Sequence, residues 1–169
     1  MTASRVLLVV ASLLTALVLQ TTVFAWLPLF GARPNVVLVL VVCFALSDGP
    51  GVGTIVGFAA GLSVDLLSDH TLGLRALVYC VTGWAAGTVR AMIDRFSTTT
   101  PIIVVAAAAA VAEVAYAAFG ALLGDPRAAF APVARGLPFA CLYDVILTPF
   151  VFSAVNALVR RTDLTERHW

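Results

Sequence analysis

Residues 50–67 read PGVGTIVGFAAGLSVDLL, and no charged residue lies between Asp48 and Asp65. Gly49, Gly53, Gly57 and Gly61 recur every fourth residue, and Asp65 is next in the series. In a helix, residues four apart fall on nearly the same face. The stretch therefore predicts one helix with a glycine ridge that ends in a carboxylate. Glycines let two helix backbones approach closely, which is how helices associate in lipid. Two uses of the ridge stand open: a docking groove for a partner helix, or packing within the chain's own bundle. Gly83 with Gly87, and Gly120 with Gly124, repeat the device in weaker form.

The rest of the chain has the same character. It has 169 residues, 62% hydrophobic and 11% charged, with a mean hydropathy of +1.05. Soluble domains carry about 25% charged residues, so these few cannot cover a water-facing surface. The net charge is +1, every basic residue is Arg, and no basic patch suits nucleic acid.

Apolar runs cover residues 6–27, 36–46, 52–67, 72–89, 101–123 and 137–159. A full crossing takes about 20 residues, so the second run is short. Runs two and three, joined by Gly49-Pro50-Gly51, read as a tight helical hairpin. The first run is read as a retained helix, although Val23 and Ala25 would make a passable cleavage site. Pro34 is placed in the first turn of the second helix, and Pro149 inside the last. Residues 128–135 are mixed and are expected to lie along the interface.

The expected fold is therefore all-α, a polytopic integral membrane bundle of about six transmembrane helices. It forms one domain, residues 1–161, with a short polar, disordered cytoplasmic tail, 162–169. Strands are excluded, because lipid offers no partner to an open strand edge. Arg placement sets the orientation. With the N-terminus inside, Arg5, Arg90, Arg95, Arg160, Arg161 and Arg167 are cytoplasmic, while Arg33, Arg75, Arg127 and Arg135 are outside. Both termini are then cytoplasmic.

Charges at bilayer depth normally face a cavity or a partner. Asp65, Arg75, Glu113, Arg135 and Asp144 fall where they can meet in one polar pocket near the outer leaflet. A plain ion pair of Asp65 with Arg75 is the other reading. Gln20 and Asn156 are expected to make interhelical hydrogen bonds. Cys43, Cys80 and Cys141 lie apart in apolar runs, with no CxxC and no neighbouring His, and read as inert thiols. No metal or cofactor is implied. No Ser–His–Asp set, HExxH or P-loop is present. An aspartyl dyad of Asp65 and Asp144 would require the two about 3 Å apart and sharing a proton.

The order of these features resembles MreD, the rod shape-determining membrane protein family of the bacterial elongation machinery. The resemblance covers nearly the whole chain and is densest from Arg33 to Arg90. RPNVVLVLVV (33–42) looks like the family's proline-led second helix. GFAAGLSVDLLSDHTLG (57–73) looks like its glycine and aspartate segment, at Gly57, Gly61, Asp65 and Gly73. LYDVILTPFVFSAVNAL (142–158) resembles its last helix, with Pro149 in place and Asp144 where the family has Asn as often.

The resemblance implies a non-enzymatic scaffold in the bacterial cytoplasmic (inner) membrane. It would bind MreC and, through it, be linked to MreB filaments, RodA and a class B penicillin-binding protein. Its role would be to position or activate lateral peptidoglycan synthesis and so maintain cell shape. Partner contact would fall on the Gly53–Gly57–Gly61 face and the Asp65/Asp144 pocket. The family is also similar in fold to the substrate-binding S components of energy-coupling-factor vitamin transporters, an analogy that carries no substrate with it. The alternative function is accordingly the substrate-binding membrane subunit of a small-molecule transporter, with an outward-opening pocket. An intramembrane enzyme is a third class, for which the sequence offers neither nucleophile nor metal.

Overall fold

The computed structural model of the chain describes the backbone of residues 3–22, 34–68, 72–90, 99–124 and 130–166, with side chains for 5–22, 34–68, 72–90, 101–124 and 138–159. Among the described residues six helices are formed: α1 (Ala3–Thr22), α2 (Val36–Asp48), α3 (Pro50–Leu66), α4 (Leu74–Val89), α5 (Thr99–Leu122) and α6 (Phe130–Glu166). No strand occurs among the described residues. The fold is the expected all-α membrane bundle.

The short second run stands at the centre. Val37, Val39, Val41, Val42, Cys43, Phe44 and Ala45 of α2 are all 0% exposed, and α2 touches each of the other five helices. A helix that is apolar all round has no preferred outer face, and full enclosure is the arrangement that suits it. Helix lengths follow from this position. α1 (from Arg5), α5 and α6 (from Pro138 to Val159) are long and apolar enough to cross a membrane. α2, α3 and α4 have 13, 17 and 16 residues. At 1.5 Å per residue these reach about 20, 26 and 24 Å, against about 30 Å of hydrocarbon.

The α2–α3 hairpin turns on Gly49, whose φ of +94° suits a residue without Cβ. Its N–H returns to Ala45 O at 2.8 Å, and its carbonyl accepts Gly53 N–H at 3.0 Å. Pro50 takes the first position of α3, where a missing N–H costs nothing. Pro34 does not do this for α2. It precedes the N-cap Asn35 and stays outside the helix, because Asn35 supplies the cap that a helix start needs.

α3 and α4 run antiparallel in close contact. The ridge of α3 faces the backbone of α4: Gly53 meets Gly83, Gly57 meets Tyr79, and Gly61 meets Arg75 and Ala76. At the other end Gly87 meets Gly49 and Pro50. α1 is peripheral, burying Val9 and Ala16 while Leu7, Leu14 and Val18 stay exposed. Arg5 of α1 pairs with Asp48 at 2.6 Å, tying α1 to the C-terminal end of α2.

One expectation is corrected at the C-terminal end: residues 162–166 continue α6 instead of forming a disordered tail. Of the segment 128–135, the backbone from Phe130 on is part of the same helix. Arg160, Arg161, Leu164 and Glu166 are sound helix formers, so the helix does not stop where the apolar run does. The end of the first run, with Val23 and Ala25, lies outside the described residues.

Candidate functional site

The helix starts of α2 and α4 create a polar problem. The first N–H groups of a helix have no intrahelical partner. Water satisfies them at a surface, but α2 and α4 are shorter than a bilayer and begin inside the bundle. Each draws its acceptors from a neighbouring helix, and these acceptors are the intramembrane polar residues of the sequence.

α4 opens on Gly73, which has a φ of +92° and no side chain to cap with. Asp65, at the end of α3, takes that role. Its Oδ2 accepts the N–H of Gly73 at 2.9 Å, of Arg75 at 3.1 Å and of Ala76 at 3.2 Å. Asp65 is 0% exposed. A carboxylate facing the positive end of a helix is also favoured by the helix dipole.

α2 opens on Asn35. Its N–H donates to Asp144 Oδ1 of α6 at 2.8 Å. Its Oδ1 accepts Leu38 N–H at 3.3 Å. The Asn35 Nδ2 donates to Tyr79 Oη at 2.6 Å, and the Tyr79 hydroxyl in turn lies 2.9 Å from Asn35 Oδ1. Gln20 of α1 adds an acceptor for Val37 N–H at 3.1 Å. Asp144 is 1% exposed, and so buried an acceptor is hydrogen-bonded as such groups must be.

Arg75 lies between the two starts. Its backbone goes to Asp65, but no ion pair joins the two side chains. The guanidinium carbon instead lies 4.8 Å from the centroid of the Tyr116 ring on α5, a cation–π distance. Glu113, one turn earlier on α5, is close enough to interact with both Arg75 and the Asn35 side chain. The alternative reading, a plain ion pair of Asp65 with Arg75, thus gives way to a cap on one side and an aromatic stack on the other. The reason is geometric: the first turn of α4 presents its N–H groups, not its side chains, to the end of α3.

The candidate residues therefore separate. Arg75, Glu113 and Asp144 converge around Asn35 and Tyr79, while Asp65 holds the α3–α4 corner. Arg135 is on α6, but its side chain lies outside the described residues. Asp65 and Asp144 are each committed to a different helix start and do not form a dyad. The ridge of Gly53, Gly57 and Gly61 is filled by α4. A Cβ added at Gly61 would stand 2.5 Å from Ala76 Cα and Arg75 O, so no partner helix fits there. Gly73 is apart from the ridge, with nothing within 4 Å of its Cβ direction. Pro149 is an exposed residue within α6. It withholds the N–H that Val145 O would receive. Beside it Thr148 Oγ donates to Asp144 O at 2.6 Å.

Asn35 and Tyr79 were not singled out from sequence. An Asn directly before an apolar run is an N-cap signal, and that signal marks Asn35. Nothing local marks Tyr79, whose partner is 44 residues away. At the opposite end Ser47 Oγ donates to Asn156 Oδ1 at 3.3 Å, so both Gln20 and Asn156 do bridge helices. Cys43, Cys80 and Cys141 are free thiols. Among the described residues no group of His, Cys, Asp and Glu has the makings of a metal site.

The sequence profile of a family described as rod shape-determining protein MreD matches residues 1–124. No curated protein and no solved structure matches the chain.

Proposed function

The chain belongs to the MreD family of rod shape-determining membrane proteins, and on that premise we propose that it is a non-enzymatic scaffold of the bacterial rod complex. In this reading it binds MreC and helps position or activate lateral peptidoglycan synthesis. MreB filaments, RodA and a class B penicillin-binding protein are linked to it indirectly. Family membership carries a role in rod shape determination and a place in the membrane.

One observation supports the scaffold reading above the others. The buried acids Asp65 and Asp144 are committed to holding helix starts in place, which is framework work. A scaffold needs a fixed surface, and in lipid that surface is recognised by shape and hydrogen bonding. With the ridge filled by α4, a partner helix is left the outward faces, of which α1 offers Leu7, Leu14 and Val18. Both termini are taken to be cytoplasmic. In keeping with this, Arg5 and Arg90 fall at one end of the bundle, beside Asp48 and Gly49.

Co-purification from native membranes in gentle detergent, with mass spectrometry of proteins and small molecules, tests the reading. MreC and the wall synthase are expected in the eluate. Leu7→Ala with Leu14→Ala should lower MreC recovery, whereas Leu142→Ala, lipid-facing on α6, should not. Recovery of an ATPase module or a vitamin-like ligand in place of MreC would overturn the scaffold in favour of a transporter subunit.

A further inference from the structure

The helices differ in height from one side of the bundle to the other. Around the central α2 the other five form a ring in the order α1, α3, α4, α5, α6. α3 and α4 therefore make one flank, and α5 and α6 the opposite one. The apolar spans of α5 and α6 have 22 residues each, about 33 Å at the helical rise, whereas α3 and α4 reach only about 26 and 24 Å. In sequence, polar residues bound the short flank at both ends: Asp48 and Arg90 at one, Ser68, Asp69 and His70 at the other. Its outward side is apolar, with Ile55, Phe58 and Leu66 of α3 and Leu77, Val81 and Trp84 of α4 exposed.

The difference lies at one end. At the Arg5 end the helices finish nearly level. Ser47, next to last in α2, is bonded to Asn156, about one turn before the apolar span of α6 closes at Val159. Gly87, near the end of α4, meets Gly49 and Pro50 there. At the Asp65 end they do not finish level. α3 stops where α4 starts, because Asp65 caps that start. Arg75, in the first turn of α4, lies over Tyr116, yet α5 runs on through residues 117–122, about 9 Å further. Asp144 meets the N-cap of α2, yet the apolar span of α6 has already run through residues 138–143, again about 9 Å. Two independent contacts thus place the same step at the same end. Arg75 and Tyr116 each lean toward the start of their own helix, which adds to the overhang of α5.

We propose that the α3–α4 flank is a surface for lipids with short acyl chains, and that it holds the leaflet on the Asp65 side thin beside it. Bilayer hydrocarbon is about 30 Å thick. A helix that is too long fits by tilting, which serves α5 and α6, but tilt only lowers a helix that is already short. Sliding offers no relief. α3 and α4 are locked backbone to backbone at Gly53, Gly57 and Gly61, so neither moves along the other to heighten the flank. Ordinary lipids would bring hydrocarbon against the polar residues at the flank's ends, and such groups lose water at a cost. Shorter chains remove that cost. A partner helix is the poorer occupant. At an ordinary length of about 20 residues it would overhang the flank as α5 does and leave its own apolar end uncovered.

Trp84 is a native reporter on this flank, and Trp26→Phe with Trp169→Phe leaves it the sole tryptophan. The full chain with these changes is reconstituted in vesicles that mix dimyristoleoyl-phosphatidylcholine with brominated dioleoyl-phosphatidylcholine. Quenching by bromine then reports which lipid stands against the indole. The shorter lipid should be favoured at Trp84 by about twofold, the effect of a few ångströms of mismatch. Adding Trp84→Phe and Phe150→Trp moves the reporter to the exposed side of α6, where the preference should vanish or turn to the longer lipid. Trp84→Phe with Val81→Trp gives a second reporter on the short flank and should repeat the Trp84 result. Circular dichroism confirms that each variant is folded. Equal affinity for the two lipids on the short flank, or the same preference on both flanks, would overturn the proposal. So would a Trp84 that bromine does not reach, as when a second copy of the chain covers the flank.

Discussion

Asp65 Oδ2 lies 2.9 Å from the N–H of Gly73, so the last turn of one helix caps the first turn of the next. The relationship explains why the glycine ridge ends in an acid. Close packing places the end of α3 against the beginning of α4, and Gly73 brings no capping oxygen of its own.

Asp65→Ala leaves three N–H groups facing protein. A lost cap costs about 0.5–2 kcal/mol, and burial without water places this one at or above the upper end. Asp65→Asn keeps one acceptor oxygen and should lose clearly less. Thermal unfolding in detergent should rank wild type above Asn above Ala. Equal melting of the two variants would show that the cap is not what the side chain contributes.

Gly57→Ala would drive a Cβ into the main chain at Tyr79 and to 3.1 Å from Cys80 N. Backbone cannot rotate aside as a side chain can. A loss of about 1–3 kcal/mol is expected. Gly51→Ala meets nothing within 4 Å and gains helix propensity worth up to about 1 kcal/mol. The two changes should move the melting temperature in opposite directions.

Tyr79→Phe removes the hydroxyl that engages Asn35, at about 1 kcal/mol. Asn35→Ala costs more, since it also uncaps Leu38. The pair should be non-additive by at least about 0.5 kcal/mol in a double-mutant cycle. Additive losses would mean that the two side chains do not act together. Asp144→Asn retains an acceptor for the Asn35 N–H and should be tolerated better than Asp144→Leu.

At the opposite end Arg5 and Asp48 form an ion pair with side chains 21% and 8% exposed. Breaking the pair removes a contact that ties α1 to α2, so Arg5→Gln and Asp48→Asn should each destabilise the bundle, and the two changes should be non-additive in a double-mutant cycle. Accessibility of a cysteine placed at Leu7 would report whether α1 loosens.

The helices were legible because lipid permits little else: six apolar runs became six helices, and the Gly49–Gly51 punctuation became a turn. The glycine periodicity correctly located a close helix contact but could not say which helix fills it. That depends on the antiparallel match with Gly83 and Gly87, on another segment. The polar residues were legible as a set and not as pairs. Asp144 and Asn35 are 109 residues apart, and what joins them is the shortness of α2, a property of its position in the bundle. Arg75 was read either in a polar cluster or paired with Asp65; its backbone serves Asp65, while its side chain lies over Tyr116 and near Glu113. Pro34 was misplaced by one function: the cap belongs to the residue after it.

The contact of α3 with α4 is backbone against backbone, and this governs how the protein can move. Side chains that interdigitate can exchange rotamers and let helices slide. Two main chains in contact offer no such intermediate positions. α3 and α4 therefore travel as one rigid body, and a change of shape has to be taken up elsewhere. The available places are α1, tied to α2 by Arg5 at one end and Gln20 at the other, and α6, where Pro149 leaves one turn without its backbone bond.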